Sequence, residues 1–267
     1  EVREPVRSPL RQICKVSGPT APLVSVIIPT FNRASRLKRA VESALAQTHA
    51  NLEVIVIDDA SEESPAPYLD ELDDQRISLM RLDKNSGASA ARNAGITNAT
   101  GTFIAFLDDD DLWAPNKIEK QLNVFDLAGP DLGMVYCWMD FVDKNGTKVS
   151  TISPELKGSV FDEVLGAQRL GGCPTLIVKA SVVRHVNGFD ESLLRGNDGD
   201  FIRRVCREFE VDYVPEVLVT AAIDDGPRIS MLSRESLMRD LNAHDVRFQK
   251  FGPELKRNKL ARSELLR

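Results

Sequence analysis

The stretch Phe103-Ile-Ala-Phe-Leu-Asp-Asp-Asp-Asp-Leu-Trp113 constrains the fold more than any other part of the chain. Phe103 to Leu107 is apolar without a polar break, the pattern of a strand buried on both faces in a parallel sheet. It runs directly into four carboxylates, Asp108, Asp109, Asp110 and Asp111. Like charges at a strand end repel one another, and a divalent cation relieves that repulsion. Oxygen ligands suit Mg²⁺ or Mn²⁺, which commonly share a site with substrate phosphates. In an open parallel sheet, ligands bind beyond the carboxyl ends of the strands. The alternative reading is a solvated acidic turn ahead of a helix starting near Pro115.

The remaining apolar runs repeat the theme. Leu23 to Thr30 and Leu52 to Asp59 read as buried strands, the second ending in the carboxylates Asp58 and Asp59. Between them Leu37, Val41, Ala44 and Leu45 fall on one helical face, with Ser35 placed to cap the helix. Strand, helix, strand implies a parallel crossover. A short helix over 65–72, a strand over 77–82 and a small-residue helix over 88–99 follow. The small residues let that last helix lie close to its neighbours.

After a helix ending at Gly129-Pro130, the alternation stops. Met134 to Val142 reads as a strand, and Lys144-Asn-Gly-Thr147 predicts a two-residue hairpin, hence an antiparallel piece. Further expectations are a helix over 158–166, a strand over 175–178, and a short helix closed by Gly188. A loop over 189–199, a helix over 200–209, strands over 211–214 and 217–222, and a helix from Leu232 complete the chain.

Composition excludes little but does exclude something. The chain has 267 residues, enough for one large α/β domain. Its net charge of −6 argues against nucleic acid as a partner. The four cysteines and three histidines show no zinc spacing, and reduced thiols are expected. No apolar run reaches the length of a membrane span. The chain opens on Glu1 and not on methionine, so the sequence does not tell what preceded it.

Three parallel strands therefore end in Pro29-Thr-Phe-Asn32, in Asp58-Asp59 and in the Asp108 to Asp111 run, all on one edge of the sheet. A carboxylate pair near an aromatic ring suits a nucleobase and ribose, and the acidic run suits a metal that holds a diphosphate. Neither a Gly-x-Gly-x-x-Gly nor a Gly-x4-Gly-Lys-Ser/Thr motif is present, so no glycine cradle grips the phosphate.

Here the sequence resembles the family 2 inverting glycosyltransferases. The matching pieces are Val26 to Asn32, Val54 to Ser61, Asn85 to Gly95 and Gly101 to Trp113, with weaker likeness at Gly188 to Glu191 and Asn197 to Asp200. The resemblance implies an α/β fold of the GT-A kind. That is a Rossmann-like, mostly parallel sheet with helices on both faces and a smaller antiparallel region on the acceptor side. It implies a nucleotide-sugar half over 23–130 and an acceptor and catalytic-base half over 131–230, while the polar, proline-bearing residues 1–22 read as a leader and residues 231–267 as a helical tail.

Carried over by position, the resemblance puts Thr30, Phe31 and Arg33 on the nucleotide and Asp58 and Asp59 at base and ribose, with Asp59 favoured for the base. It brings Arg92 near the nucleotide and gives Asp109 to the donor sugar or ribose. Asp108 and Asp110 match its Asp-x-Asp, with Asp110 the first choice as metal ligand. The family's base is the aspartate of a Glu-Asp pair. Here the pair is Asn197-Asp198, which makes Asp198 the candidate and Asp200 its rival. Where relatives carry a metal-binding histidine, this chain has Asp224 and Asp225, of which Asp224 is better placed.

The resemblance thus implies a Mn²⁺- or Mg²⁺-dependent enzyme taking a nucleotide sugar, with a UDP-sugar favoured. The acceptor is a saccharide or a lipid-linked one, as in bacterial surface polysaccharide or glycoconjugate synthesis. A cytoplasmic protein is expected, with the basic tail around Lys256, Arg257, Lys259 and Arg262 offering peripheral contact with an anionic membrane. Two other readings stay open. A sugar nucleotidyltransferase would want a glycine-rich, basic first loop, which Pro29-Thr-Phe-Asn32 is not. A non-catalytic sugar-nucleotide-binding module would accommodate Asn197 and Asp224.

Overall fold

The computed structural model describes residues 21–166, 170–193, 195–223 and 234–258, with backbone alone for 234–241 and 244. Asp224 and Asp225, residues 1–20 of the expected leader, and Lys259 and Arg262 of the tail lie outside the described residues.

The elements run β1 (Val24–Thr30), α1 (Ala34–Leu45), β2 (Leu52–Asp58), α2 (Ala66–Asp70), β3 (Ile77–Arg81), α3 (Ala88–Asn98), β4 (Phe103–Phe106), β5 (Asp111–Trp113) and α4 (Lys117–Leu127). Then come β6 (Leu132–Val142), β7 (Lys148–Ile152), α5 (Phe161–Gly166), a 3₁₀ turn (Cys173–Thr175), β8 (Ile177–Lys179), α6 (Ala180–His185), α7 (Asn197–Cys206), β9 (Glu210–Ala222) and α8 (Arg234–Arg257). One sheet holds all the described strands in the order β3-β2-β1-β4-β8-β6-β9-β5, with β7 on the free side of β6. β3, β2, β1 and β4 are mutually parallel. β8 turns antiparallel to β4 and β6, and β9 runs parallel to β6.

Period-two alternation divides the core between the two faces. Ile27, Ile55, Ile57, Ile104 and Phe106 point to the side covered by α3, α6 and α7. Val24, Val26, Ile28, Val54, Val56 and Leu107 point to the side covered by α1, α2 and α4. The expected layers, with helices on both faces, are those observed. Gly95 shows why α3 is built of small residues: a Cβ there would stand 2.4 Å from Ile27 Cγ2.

Several local expectations change. Ser35 does not cap α1: Arg33 is the N-cap residue and no side chain bonds the helix start. The β6–β7 connection is one residue longer than expected. Asp143 accepts from the Gly146 amide and donates to Thr147 O, both at 2.9 Å, and Gly146 alone takes positive φ (79°). That is a type I turn followed by a left-handed glycine, not the doubly left-handed two-residue turn.

The two strands expected after 210 are one, β9. Its register jumps from Cys137↔Val214 to Trp138↔Val217, so Pro215 sits in a bulge where no ladder donor is needed. α5 starts later than expected and β8 is shorter, with the 3₁₀ turn taking Thr175. α7 begins at Asn197, inside the expected loop. Among the described residues no helix is long and apolar enough to cross a membrane. Cys137, Cys173 and Cys206 are buried free thiols.

Candidate active site

Because β1, β2 and β4 are parallel, their carboxyl ends open on one edge, and a cleft of about 640 Å³ lies there. It is lined by Thr30, Phe31, Arg33, Asp59, Arg92, Asp108, Asp109 and Asp110 among others. A larger cleft, about 800 Å³, lies along α3, α6 and Lys250 but carries none of the strand-end groups. Chemistry, not volume, identifies the first as the site.

The acidic run is held in an organised way. Thr30 Oγ1 donates to Asp109 Oδ2 at 2.7 Å. Arg33 Nη1 reaches Asp109 Oδ1 at 3.2 Å and Asp110 Oδ2 at 2.8 Å. Burial pushes the Asp109 carboxyl up to about 6 against the pull of Thr30 and Arg33. Asp111 was not separated from its neighbours by sequence, yet it behaves differently. It opens β5, pairs with Ala221 of β9 and is buried. Burial first, and then Asp108, Asp110 and Asp109, push its carboxyl well above the ordinary range.

Asp58 and Asp59 part company. Asp58 is fully buried and does not line the cleft: Oδ1 accepts from the Ser61 amide at 2.9 Å and Oδ2 from Arg81 Nη1 at 3.0 Å. Its expected contact with base or ribose is corrected to a structural one, closing the loop after β2. Asp59 lines the cleft, and its oxygens accept from the Ser86 and Gly87 amides at 2.7 and 2.8 Å. It thereby fixes the start of α3 against the site. Each oxygen keeps a second lone pair.

Arg92 is the buried hinge of the arrangement, only 5% exposed. Its Nη2 lies 2.6 Å from Asp108 Oδ1 and its Nη1 lies 3.5 Å from Asp198 Oδ1. One guanidinium therefore joins the acidic run to the candidate base. Asp198 sits in the first turn of α7. Its Oδ2 accepts from the Cys173 amide at 3.1 Å. Asn197, where the family has glutamate, donates to Ser89 Oγ at 3.0 Å and accepts from the Asp198 amide at 2.9 Å. A neutral amide thus ties α7 to α3 without adding another negative charge.

Asp200, the rival, is spoken for. It is buried, with Arg204 Nε at 2.8 Å and Lys250 Nζ at 2.7 Å. Lys250 also pairs with Asp190 at 2.6 Å. Burial opposes the Asp190 charge, but Lys250 and Ser192 bring the carboxyl down to about 2. Glu191 accepts from Asn93 Nδ2 at 2.8 Å. His185 pairs with Glu208 at 2.7 Å on the surface, away from the cleft.

The residues fit a hard dication in kind. Asp108 and Asp110 each spend one oxygen on an arginine and keep the other. Among the described residues no cluster of three or more ligating groups stands ready-made.

The comparisons with known proteins agree with this geometry. The profile for "Glycosyl transferase family 2" matches residues 25–184, more than half of the chain. An uncharacterized glycosyltransferase of Rickettsia typhi is 32% identical over 220 residues, covering 77% of this chain and 65% of the relative. One from Rickettsia prowazekii is 32% identical over 210 residues, and the chain spans 64% of it, so these relatives are about half as long again as the part matched. An uncharacterized glycosyltransferase of Methanocaldococcus jannaschii is 31% identical, covering 80% and 74%.

Among solved structures, S. aureus TarS residues 1–349 in complex with UDP-GlcNAc superposes with a TM-score of 0.66 at 20% identity, covering 84% of this chain and 66% of TarS. The mannosyltransferase PcManGT from Pyrobaculum calidifontis, with GDP-Man and Mn²⁺, gives 0.62 at 19%, covering 91% and 70%. The fold, the strand-end carboxylates and the matched segment concur: this chain belongs to glycosyl transferase family 2.

Proposed function

We propose that the chain is an inverting glycosyltransferase that moves a sugar from a nucleotide donor, a UDP-sugar by preference, to a saccharide or lipid-linked acceptor. The reading rests on one observation above all. Thr30, Phe31, Arg33, Asp59 and the acidic run converge on one cleft, with Asp198 one guanidinium away. Neighbours of the same fold bind UDP-GlcNAc or GDP-Man, which supports a nucleotide-sugar donor. A role in surface polysaccharide or glycoconjugate synthesis belongs to the same proposal, as does peripheral membrane contact through the exposed Lys256 and Arg257.

In this reading Phe31 faces the base and Asp59 accepts its hydrogen bond. Asp109, fixed by Thr30 and Arg33, meets the ribose or donor sugar. Asp110 and Asp108 would hold a Mn²⁺ or Mg²⁺, which supplies positive charge against the departing diphosphate. The role assigned to Asp224 stays with this proposal. Asp198 accepts the proton of the acceptor hydroxyl as its oxygen attacks the anomeric carbon opposite the leaving diphosphate. Arg92 orients Asp198 and partly neutralises Asp108 beside it.

The test is calorimetric binding of UDP-sugars and GDP-sugars with Mn²⁺ and with chelator, followed by nucleotide release. Tight metal-dependent binding, with turnover lost in Asp198→Asn while binding is kept, is the expected result. Binding without turnover in the unaltered chain leaves the binding-module reading. Absence of nucleotide-sugar binding sinks both.

A further inference from the structure

The base candidate is held by a turn, and the turn is held from behind. The Cys173 amide that donates to Asp198 Oδ2 opens the 3₁₀ turn Cys173–Thr175. The carbonyls of that turn point into the protein, where an unpartnered carbonyl is costly. Trp113 Nε1 donates to Pro174 O at 2.9 Å. Gln121 Nε2 donates to Thr175 O at 2.9 Å and to Val135 O at 2.8 Å. Thr175 Oγ1 closes the turn on Gly172 O at 2.8 Å. Trp113, Gln121, Cys173 and Thr175 are all buried, so no water competes for these bonds.

We propose that Trp113 and Gln121 are positioning residues for Asp198. From β5 and α4 they fix the turn whose amide pins one carboxylate oxygen and leaves the other facing Arg92. The inference rests on Asp198 being the base. Its physical content is orientation. A carboxylate anchored at Oδ2 cannot rotate about its terminal bond without giving up a charge-assisted hydrogen bond. A base misplaced by about 1 Å can lose roughly a hundredfold in rate. The same two elements follow directly on the acidic run, so the groups that face the donor and the group that takes the proton are braced by one piece of chain.

The test uses Trp113→Phe, which keeps an aromatic ring but loses the pyrrole part with its N–H, and Gln121→Met, which keeps the volume and removes both donations. Melting curves establish that each folds, and either variant suffices if the other does not. Two quantities are read: steady-state nucleotide release from UDP-GlcNAc or GDP-mannose, and hydrogen–deuterium exchange of the peptide spanning residues 170–176. The expected result is kcat down about ten- to a hundredfold with KM for the nucleotide sugar within about twofold, and faster exchange confined to that peptide. Unchanged kcat in an active parent overturns the brace whatever the exchange does. So does a loss carried by KM, or unchanged exchange. A parent that releases no nucleotide overturns the function reading and the brace together, whereas an active parent with indifferent variants overturns the brace alone.

Discussion

Arg92 Nη2 stands 2.6 Å from Asp108 Oδ1, and the guanidinium is nearly sealed from solvent while the carboxylate is one-third exposed. Removing one partner of a buried pair leaves the other uncompensated. Arg92→Met is expected to cost about 2–3 kcal/mol, the lower side of the buried-pair range because Asp108 still meets water. It should also abolish turnover, because Asp198 loses its cationic neighbour. Arg92→Lys should recover little of either, since one ammonium cannot span both carboxylates. Urea unfolding checks the first statement. A variant as stable as its parent would show the pair to be energetically idle.

Gly95 admits no side chain. Gly95→Ala places a methyl 2.4 Å from Ile27 Cγ2, and overpacking of this kind costs about 1–3 kcal/mol. Combining it with Ile27→Ala, which removes the Cγ2 methyl, should cost less than the sum of the two single changes, because the two sites share one space. Melting temperatures of the three variants decide it. Additive losses would refute the contact as the cause.

Lys117 is fully buried, and its Nζ lies 4.1 Å from the centre of the Trp113 ring with no hydrogen-bond partner among the described residues. Burial brings its ammonium down to about 8 from the ordinary 10.5. Between those values the unfolded chain binds more protons than the folded one, so this group makes stability rise with pH from about 8 to about 10.5. Lys117→Met should therefore be the more stable protein at pH 7, by about 1–3 kcal/mol once the lost cation–π contact is allowed for. The advantage should fade above pH ~10. Urea titrations at both pH values read it directly. A difference independent of pH would mean the ammonium is not the cause.

Phe31 is 42% exposed on the rim of the cleft. Phe31→Ala should leave the melting temperature nearly unchanged but weaken UDP binding by about 1–2 kcal/mol, the usual worth of a base stacked on an aromatic ring. Equal UDP affinity by calorimetry would remove Phe31 from the nucleotide site.

What could be read from residues alone was whatever depends on near neighbours along the chain. β1, β2 and β4 announce themselves through unbroken apolar runs, and the parallel order fixes which ends converge. The distinction between Asp58 and Asp59 was hidden because it depends on Arg81 of β3 and on the α3 amides. Asp111 looked like one more acidic turn residue because its strand partner, Ala221, is far away in sequence. Arg92 could be tied to the nucleotide by resemblance, but its bridge from Asp108 to Asp198 joins segments that only the closed sheet brings together. Trp113 closes the motif that sequence singles out, but its bond to Pro174 O, like those of Gln121, was not legible because the partners are main-chain carbonyls. The pairing of Asp200 with Lys250, from the last helix, likewise joins segments far apart in sequence.

That contact of Lys250 with Asp190 and Asp200 bears on modularity. The family profile ends at residue 184, yet the helix bearing Asp198 leans on an ammonium supplied 50 positions beyond Asp200. The profile-matched portion and the folded unit are thus not the same length, and relatives match 77% and 80% of the chain. A fragment trimmed to the profile-matched portion would lack α7 and with it the proposed proton acceptor, and one ending before α8 would leave two acidic side chains without the lysine that reconciles them.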